Sequence, residues 1–247
     1  MPRVAVCFSG LPRAVFTTYT SLKEKIFGPL DPDIFGYFWE EDAETRGNQI
    51  SHLGGKTYSD EIKYLDVLYN HWKVKEIKAI PKPACLLDEL FAAHAFSKDQ
   101  RAAVRRDKRR NALSMFKAIY EANQMKCEYE RRNRMKYDYV VRARTDISLR
   151  GRFQIVDPKG QIIIPHIYGN EYDGGYSDVL AWGSSEAMDY YSEVYNNFYN
   201  LQAPLWDQTT ELGKGLWWNA HVILKAHLDK GKYPVHTFGT DLRRRRS

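Results

Sequence analysis

The sequence predicts an α/β fold: a single Rossmann-like domain with a mostly parallel central sheet and helices on both faces. Three observations predict it. Short apolar runs alternate along the chain with segments of helical spacing, the order that builds strand–helix–strand units. Runs such as Val4-Ala5-Val6-Cys7-Phe8 and Ile162-Ile163-Ile164 are continuous rather than alternating, so both faces of such strands are covered. No internal repeat or linker interrupts the 247 residues, a length that suits one large domain. Residues 1–242 are read as that domain. Residues 243–247 are read as a basic tail, either a disordered end or a domain boundary.

The first strand, Val4-Ala5-Val6-Cys7-Phe8, closes in the glycine-containing loop Ser9-Gly10-Leu11-Pro12-Arg13. Residues 17–26 follow as a helix that should stop near Gly28-Pro29, because proline cannot continue an α-helical ladder. Residues 33–39 are the second strand and 43–60 a polar loop. Residues 60–72 have helical spacing, and 75–80 form a short strand stopped by Pro81.

Residues 101–110 hold six basic side chains against one acid, either a solvated helix face or exposed loop, or a contact for an acidic membrane surface or an anionic acceptor. A long helix over residues 111–134 carries Leu113, Phe116, Ile119, Tyr120 and Cys127 on one apolar face. Residues 137–141, 161–165, 177–183 and 233–238 are the later strands. Ser184 caps a helix running over 186–199, and 219–228 form the last one.

Composition narrows the function classes. The net charge is +6, but Arg243, Arg244, Arg245 and Arg246 supply most of it, so no nucleic-acid-wide basic footprint is expected. Three irregularly spaced cysteines make neither a disulfide framework nor a zinc pattern. A cytoplasmic, reducing location follows. No apolar run is long enough to span a membrane and the chain enters a strand at once, with no signal peptide, so any membrane contact is peripheral. The chain contains no Walker pattern, no G-x-G-x-x-G and no G-x-S-x-G.

The stretch Tyr137-Asp138-Tyr139-Val140-Val141-Arg142-Ala143-Arg144-Thr145-Asp146 carries the strongest signal for chemistry. An apolar strand runs straight into two arginines and an acid, and charges at a strand end need a partner, a metal or a cleft. The cluster is either a ligand site or a structural Arg–Asp pair. Arg13, just past the first strand with Ser9 and Gly10, suits phosphate. Asp178 and Glu211 are candidate general bases or ligands for a hard cation. Most of the seven histidines read as surface or core residues. His166 and His236 stand out at strand ends.

Taken together, Val4 to Arg13, residues 31–35, 111–116, 137–146 and 178–188 resemble blocks of the glycosyltransferases that build capsules and glycans in bacteria and large algal viruses. The resemblance implies a GT-A-like fold, in which a D-x-D motif holds Mn²⁺ or Mg²⁺ against a nucleotide-sugar diphosphate. Here Arg144-Thr145-Asp146 takes that place, with arginine where the first acid would stand. The implied reaction is attack of a glycan acceptor hydroxyl on a UDP- or GDP-type sugar. Asp146 would hold the metal, and Ser9, Gly10, Arg13, Arg142 and Arg144 would contact the donor. Asp178 or Glu211 would act as base, and Trp182, Trp217 and His166 would contact sugar or acceptor. Two other readings stand beside it: a non-catalytic nucleotide- or sugar-binding domain, and a basic membrane-surface or nucleic-acid binder.

Overall fold

A computed structural model describes residues 2–40, 63, 65, 71–81, 109–150, 154–167, 174–201, 220–240 and 242–244. Its main sheet has seven strands. They are β1 (Val4–Gly10), β2 (Asp33–Glu40), β3 (Lys73–Pro81), β4 (Tyr139–Ala143), β6 (Ile162–Ile167), β7 (Leu180–Gly183) and β8 (Val235–Thr240), in the order β3-β2-β1-β4-β7-β6-β8. Only β7 runs against its neighbours; β3–β2, β2–β1, β1–β4 and β6–β8 pair in parallel. The α/β class and the mostly parallel sheet are as the sequence predicts. A ribbon of β5 (Ile147–Leu149) and β9 (Leu242–Arg244) lies apart from it, so the basic tail begins as a paired strand.

Helices cover both faces. α1 (Val15–Leu22) packs with Val6, Phe8, Val141 and Ala143 on one face. On the other, α2 (Arg109–Asn133), α3 (Ser185–Ser192) and α4 (Ala220–Leu228) pack with Ala5, Cys7, Val140 and Ala181. α2 buries Leu113, Phe116, Ile119, Ala122 and Met125 at three- and four-residue spacing. The indole Nε1 of Trp39 donates to the Ser114 carbonyl at 2.8 Å and ties β2 to this helix. α2 ends at Arg134, whose φ of 49° turns the chain so that Met135 N–H reaches the Glu130 carbonyl.

Three elements depart from the sequence reading. After α1 the chain does not stop at Gly28-Pro29. A π-type turn over Lys23–Phe27 lets the Gly28 N–H reach the Lys23 carbonyl, and Pro29 starts one more turn, where its missing N–H is not needed. The helix after Ser184 breaks at Ser192, whose hydroxyl donates to the Asp189 carbonyl. β4 begins two residues late and extends through Arg142, because Asp138 is held by Arg3 and Tyr137 N–H is held by Glu130. Arg142 therefore lies inside the sheet rather than beyond its end. The expected loop 43–60, nearly all of helix 60–72, most of the basic run 101–110, and segment 204–219 with Glu211, Trp217 and Trp218 fall outside the described residues. Among the described residues, no helix is long and apolar enough to cross a membrane.

Candidate functional site

Strand order reverses at β1: β2 and β3 lie to one side, β4 to the other. The crevice outside the carboxyl ends of β1 and β4 is therefore the switch point at which open α/β sheets take ligands. The two loops that leave those strands are bolted together. Arg13 N–H donates to Thr145 Oγ1 at 3.1 Å, Thr145 Oγ1 returns a bond to the Arg13 carbonyl at 3.0 Å, and Thr18 Oγ1 donates to the Thr145 carbonyl at 2.6 Å. Gly10 adopts φ 108°, and a Cβ there would meet open space. Gly10→Ala should lower stability by about 1–3 kcal/mol through backbone strain alone, read from denaturant unfolding. An unchanged midpoint would mean that the loop relaxes.

Below this crevice lies a group of buried donors with no acceptor among the described residues. Arg142 pairs with Cys7 across the β1–β4 ladder, and Ser9 is two residues further along the same face of β1. Tyr191 of α3 packs over that face. Arg142 is 3% exposed, and among the described residues its Nε, Nη1 and Nη2 find no hydrogen-bond partner; Ser9 Oγ and Tyr191 Oη find none there either. Burial depresses the Arg142 pKa, while the nearby Tyr191, Asp178 and Asp146 oppose that shift. Burial pushes the Tyr191 hydroxyl up to about 12, against the pull of Arg142. A guanidinium remains ionised in proteins, so this is a buried cation in a donor-rich environment.

Arg144 grips Asp146 with both arms of its fork: Nε to Oδ1 at 2.8 Å and Nη2 to Oδ2 at 2.7 Å. Its Nη1 lies 3.5 Å from Asp178 Oδ2, and Asp178 Oδ1 lies 3.6 Å from His221 Nδ1. One chain of contacts thus links the end of β4, the approach to β7 and the start of α4. His166, at the carboxyl end of β6, has its pKa lowered by burial and then by the His221 charge, which places it beside the same cluster.

The structure brings together Ser9, Gly10, Arg13, Arg142, Arg144, Asp146, Asp178 and His166 at one end of the sheet. It corrects one expectation. Trp182 is no sugar platform: it is fully buried in β7, a strand flanked on both sides, with Nε1 on the Val156 carbonyl at 3.0 Å and Phe238 edge-on. Asp146, the expected metal ligand, has each carboxylate oxygen engaged by Arg144.

Among the described residues, the one His/Cys/Asp/Glu group close enough to hold a metal is Cys127, Glu130 and Asp189, with ligand atoms within 4.8 Å of one another. It lies at the opposite end of the strands, where Glu130 Oε1 accepts from Tyr137 N–H ahead of β4. Lys126 Nζ already stands among these groups, 2.6 Å from Asp189 Oδ1 and 3.1 Å from Glu130 Oε2. Burial, with Asp189 adding to it and Lys126 opposing it, pushes the Cys127 thiol up to about 12. A metal there would have to displace an ammonium and deprotonate a reluctant thiol.

The sequence reading overlooked Tyr191, Lys126 and His221. Each sits at an ordinary helical position; Ser185 and Asp189 reach Lys126, and Tyr176 reaches His221, from far along the chain, and Tyr191 meets Arg142 only through the fold, so local spacing marks none of these contacts. Compared with protein-family models and with curated proteins, the chain matches none of either.

Proposed function

We propose that this chain is a nucleotide-sugar-dependent glycosyltransferase of GT-A-like fold, with the donor diphosphate seated at the β1–β4 switch point. The observation that carries this reading is the Arg142 guanidinium, buried near the end of β4 without an acceptor among the described residues. A bound diphosphate brings oxygens of the required charge, and guanidinium nitrogens match them in pairs. Arg144 stands at the same strand end, and the loop of Gly10 and Arg13 offers backbone on the other side. Negative charge developing on the leaving diphosphate would be taken by these arginines.

Mn²⁺ or Mg²⁺ at Asp146, the cofactor that the family resemblance implies, does not fit this arrangement. The Arg144 fork already neutralises the carboxylate and engages each of its oxygens, and among the described residues neither Asp178 nor His221 completes a metal-sized group with Asp146. In this reading arginine does the work of the metal.

The test is thermal denaturation with UDP or GDP, in the presence of EDTA or Mn²⁺. At 100 times the dissociation constant a binding nucleotide stabilises by about 2.7 kcal/mol. The expected result is a shift with at least one nucleotide, of equal size with EDTA. Absence of a shift with either nucleotide in both conditions would refute the reading.

One observation favours a non-catalytic binding domain instead: both acids of the site, Asp146 and Asp178, lie against Arg144. Nucleotide binding without release of diphosphate from any UDP- or GDP-sugar would select it.

A further inference from the structure

His221 is the second residue of α4, yet more contacts fix its ring than its place in the sequence suggests. Nδ1 lies 2.9 Å from the Tyr176 carbonyl oxygen. A carbonyl only accepts, so Nδ1 carries the proton. In the neutral ring the lone pair is then on Nε2, the nitrogen turned away from this anchor. Asp178 Oδ1, 3.6 Å from Nδ1, adds a negative charge on the same side. A carboxylate and a carbonyl holding Nδ1–H while Nε2 meets the reacting proton is the relation by which histidine serves as a base in hydrolases.

The anchor is itself fixed. Tyr176 N–H donates to the His221 carbonyl at 3.0 Å, and Tyr176 Oη donates to Asp229 at 2.8 Å. The Lys225 ammonium lies over the Tyr176 ring, 4.7 Å from its centre. Gly175 makes the approach feasible: a Cβ there would come within 2.3 Å of the His221 carbonyl carbon. His221 also remains within reach of solvent, its side chain 22% exposed, whereas Asp178 is 7% and Asp146 4% exposed. Among the described residues, the charged and titratable groups that act on it are Asp178, with Arg144 behind it, and His166 of β6, whose pKa the His221 charge lowers.

We propose that His221 is the general base of the transfer, a role resting on the transferase reading above, with Asp178 and the Tyr176 carbonyl as its positioning groups. The acceptor hydroxyl gives its proton to Nε2. Its oxygen bonds to the anomeric carbon as the bond from that carbon to the diphosphate oxygen breaks. The electron pair leaves on the diphosphate beside Arg142 and Arg144, and the imidazolium passes its proton to solvent. One displacement at that carbon inverts its configuration.

The experiment compares wild type, His221→Ala and His221→Gln in two assays: the thermal shift with UDP and GDP, and release of diphosphate from a panel of UDP- and GDP-sugars with oligosaccharide acceptors. A positioned base contributes roughly 10²–10⁴-fold to rate. Both variants should keep the nucleotide shift and lose turnover by that factor, and added imidazole should restore turnover in His221→Ala but not in His221→Gln. Turnover at the wild-type rate in either variant overturns the proposal. So does a loss that imidazole does not restore while the nucleotide shift persists. Should the variants fail to fold, ¹⁵N NMR of wild type decides: a proton on Nδ1 of neutral His221 upholds the assignment and one on Nε2 overturns it. A wild-type chain that binds nucleotide but turns over no donor fails at the transferase reading, a result separate from these.

Discussion

Arg142→Met is expected to make the free protein more stable. Buried charged groups replaced by apolar side chains of similar volume leave stability unchanged or raise it by about 1–4 kcal/mol. Arg142 is an extreme case, because among the described residues no hydrogen-bond acceptor offsets its desolvation. Methionine fills a similar space with a flexible thioether, beside Cys7, Val140 and Ala181. For a chain of this size each kcal/mol moves the melting temperature by about 2–4 °C. A fall of several degrees instead would mean that the guanidinium is satisfied in the native state and holds the fold together. Function explains why a stabilising change would be absent: a binding group is kept at the expense of stability.

Lys126→Met is expected to do the opposite, destabilising by about 3–5 kcal/mol at neutral pH. Lys126 is fully buried, and its ammonium donates to Asp189, Ser185 and Glu130 at 2.6, 2.7 and 3.1 Å. Removing it leaves two carboxylates facing each other, with only Lys136 at the rim. The loss should depend on pH. Burial alone would raise Glu130, but the Tyr137 N–H, Ser185, Lys126 and Lys136 outweigh it and hold the carboxyl below its ordinary range. Burial is likewise outweighed at Asp189 by Lys126, Asn123 and Cys127.

Folded-state values below the unfolded ones mean that this stabilisation is fully present above the ordinary carboxylate range. It is lost as pH falls below that range, through the lowered folded values. In the variant the carboxylates are easier to protonate, so the gap in melting temperature between the two proteins should narrow in acid. Melting curves across pH 3–7 (roughly, to span that range) check this. A gap that stays constant would show that the cost is packing rather than charge.

Much of the fold was legible because its signals are local. The run Val4 to Phe8 is apolar without interruption, and it is the buried strand expected, extended only to Gly10. Leu113, Phe116 and Ile119 mark one face of α2, and that face is the buried one. Ser184 caps α3, its Oγ accepting from Ala187 N–H. What was illegible depends on contacts across the chain. Arg142 reads as the end of a strand, and only the positions of Arg3 and Glu130 shift β4 forward and draw it into the sheet. Lys126 reads as a solvated helix position, until two acids and a serine from α2 and α3 enclose it. Trp182 offered an aromatic face in sequence, and its central strand buries it. Arg144 and Asp146 were legible as a cluster, but the bidentate grip between them was not.

The most direct test of the central claim is titration calorimetry of UDP and GDP, in EDTA, into wild type and Arg142→Met. The account predicts that one nucleotide binds wild type without divalent metal and that the folded variant does not bind it. Nucleotide binding that needs Mn²⁺, or that survives unchanged in Arg142→Met, would contradict it.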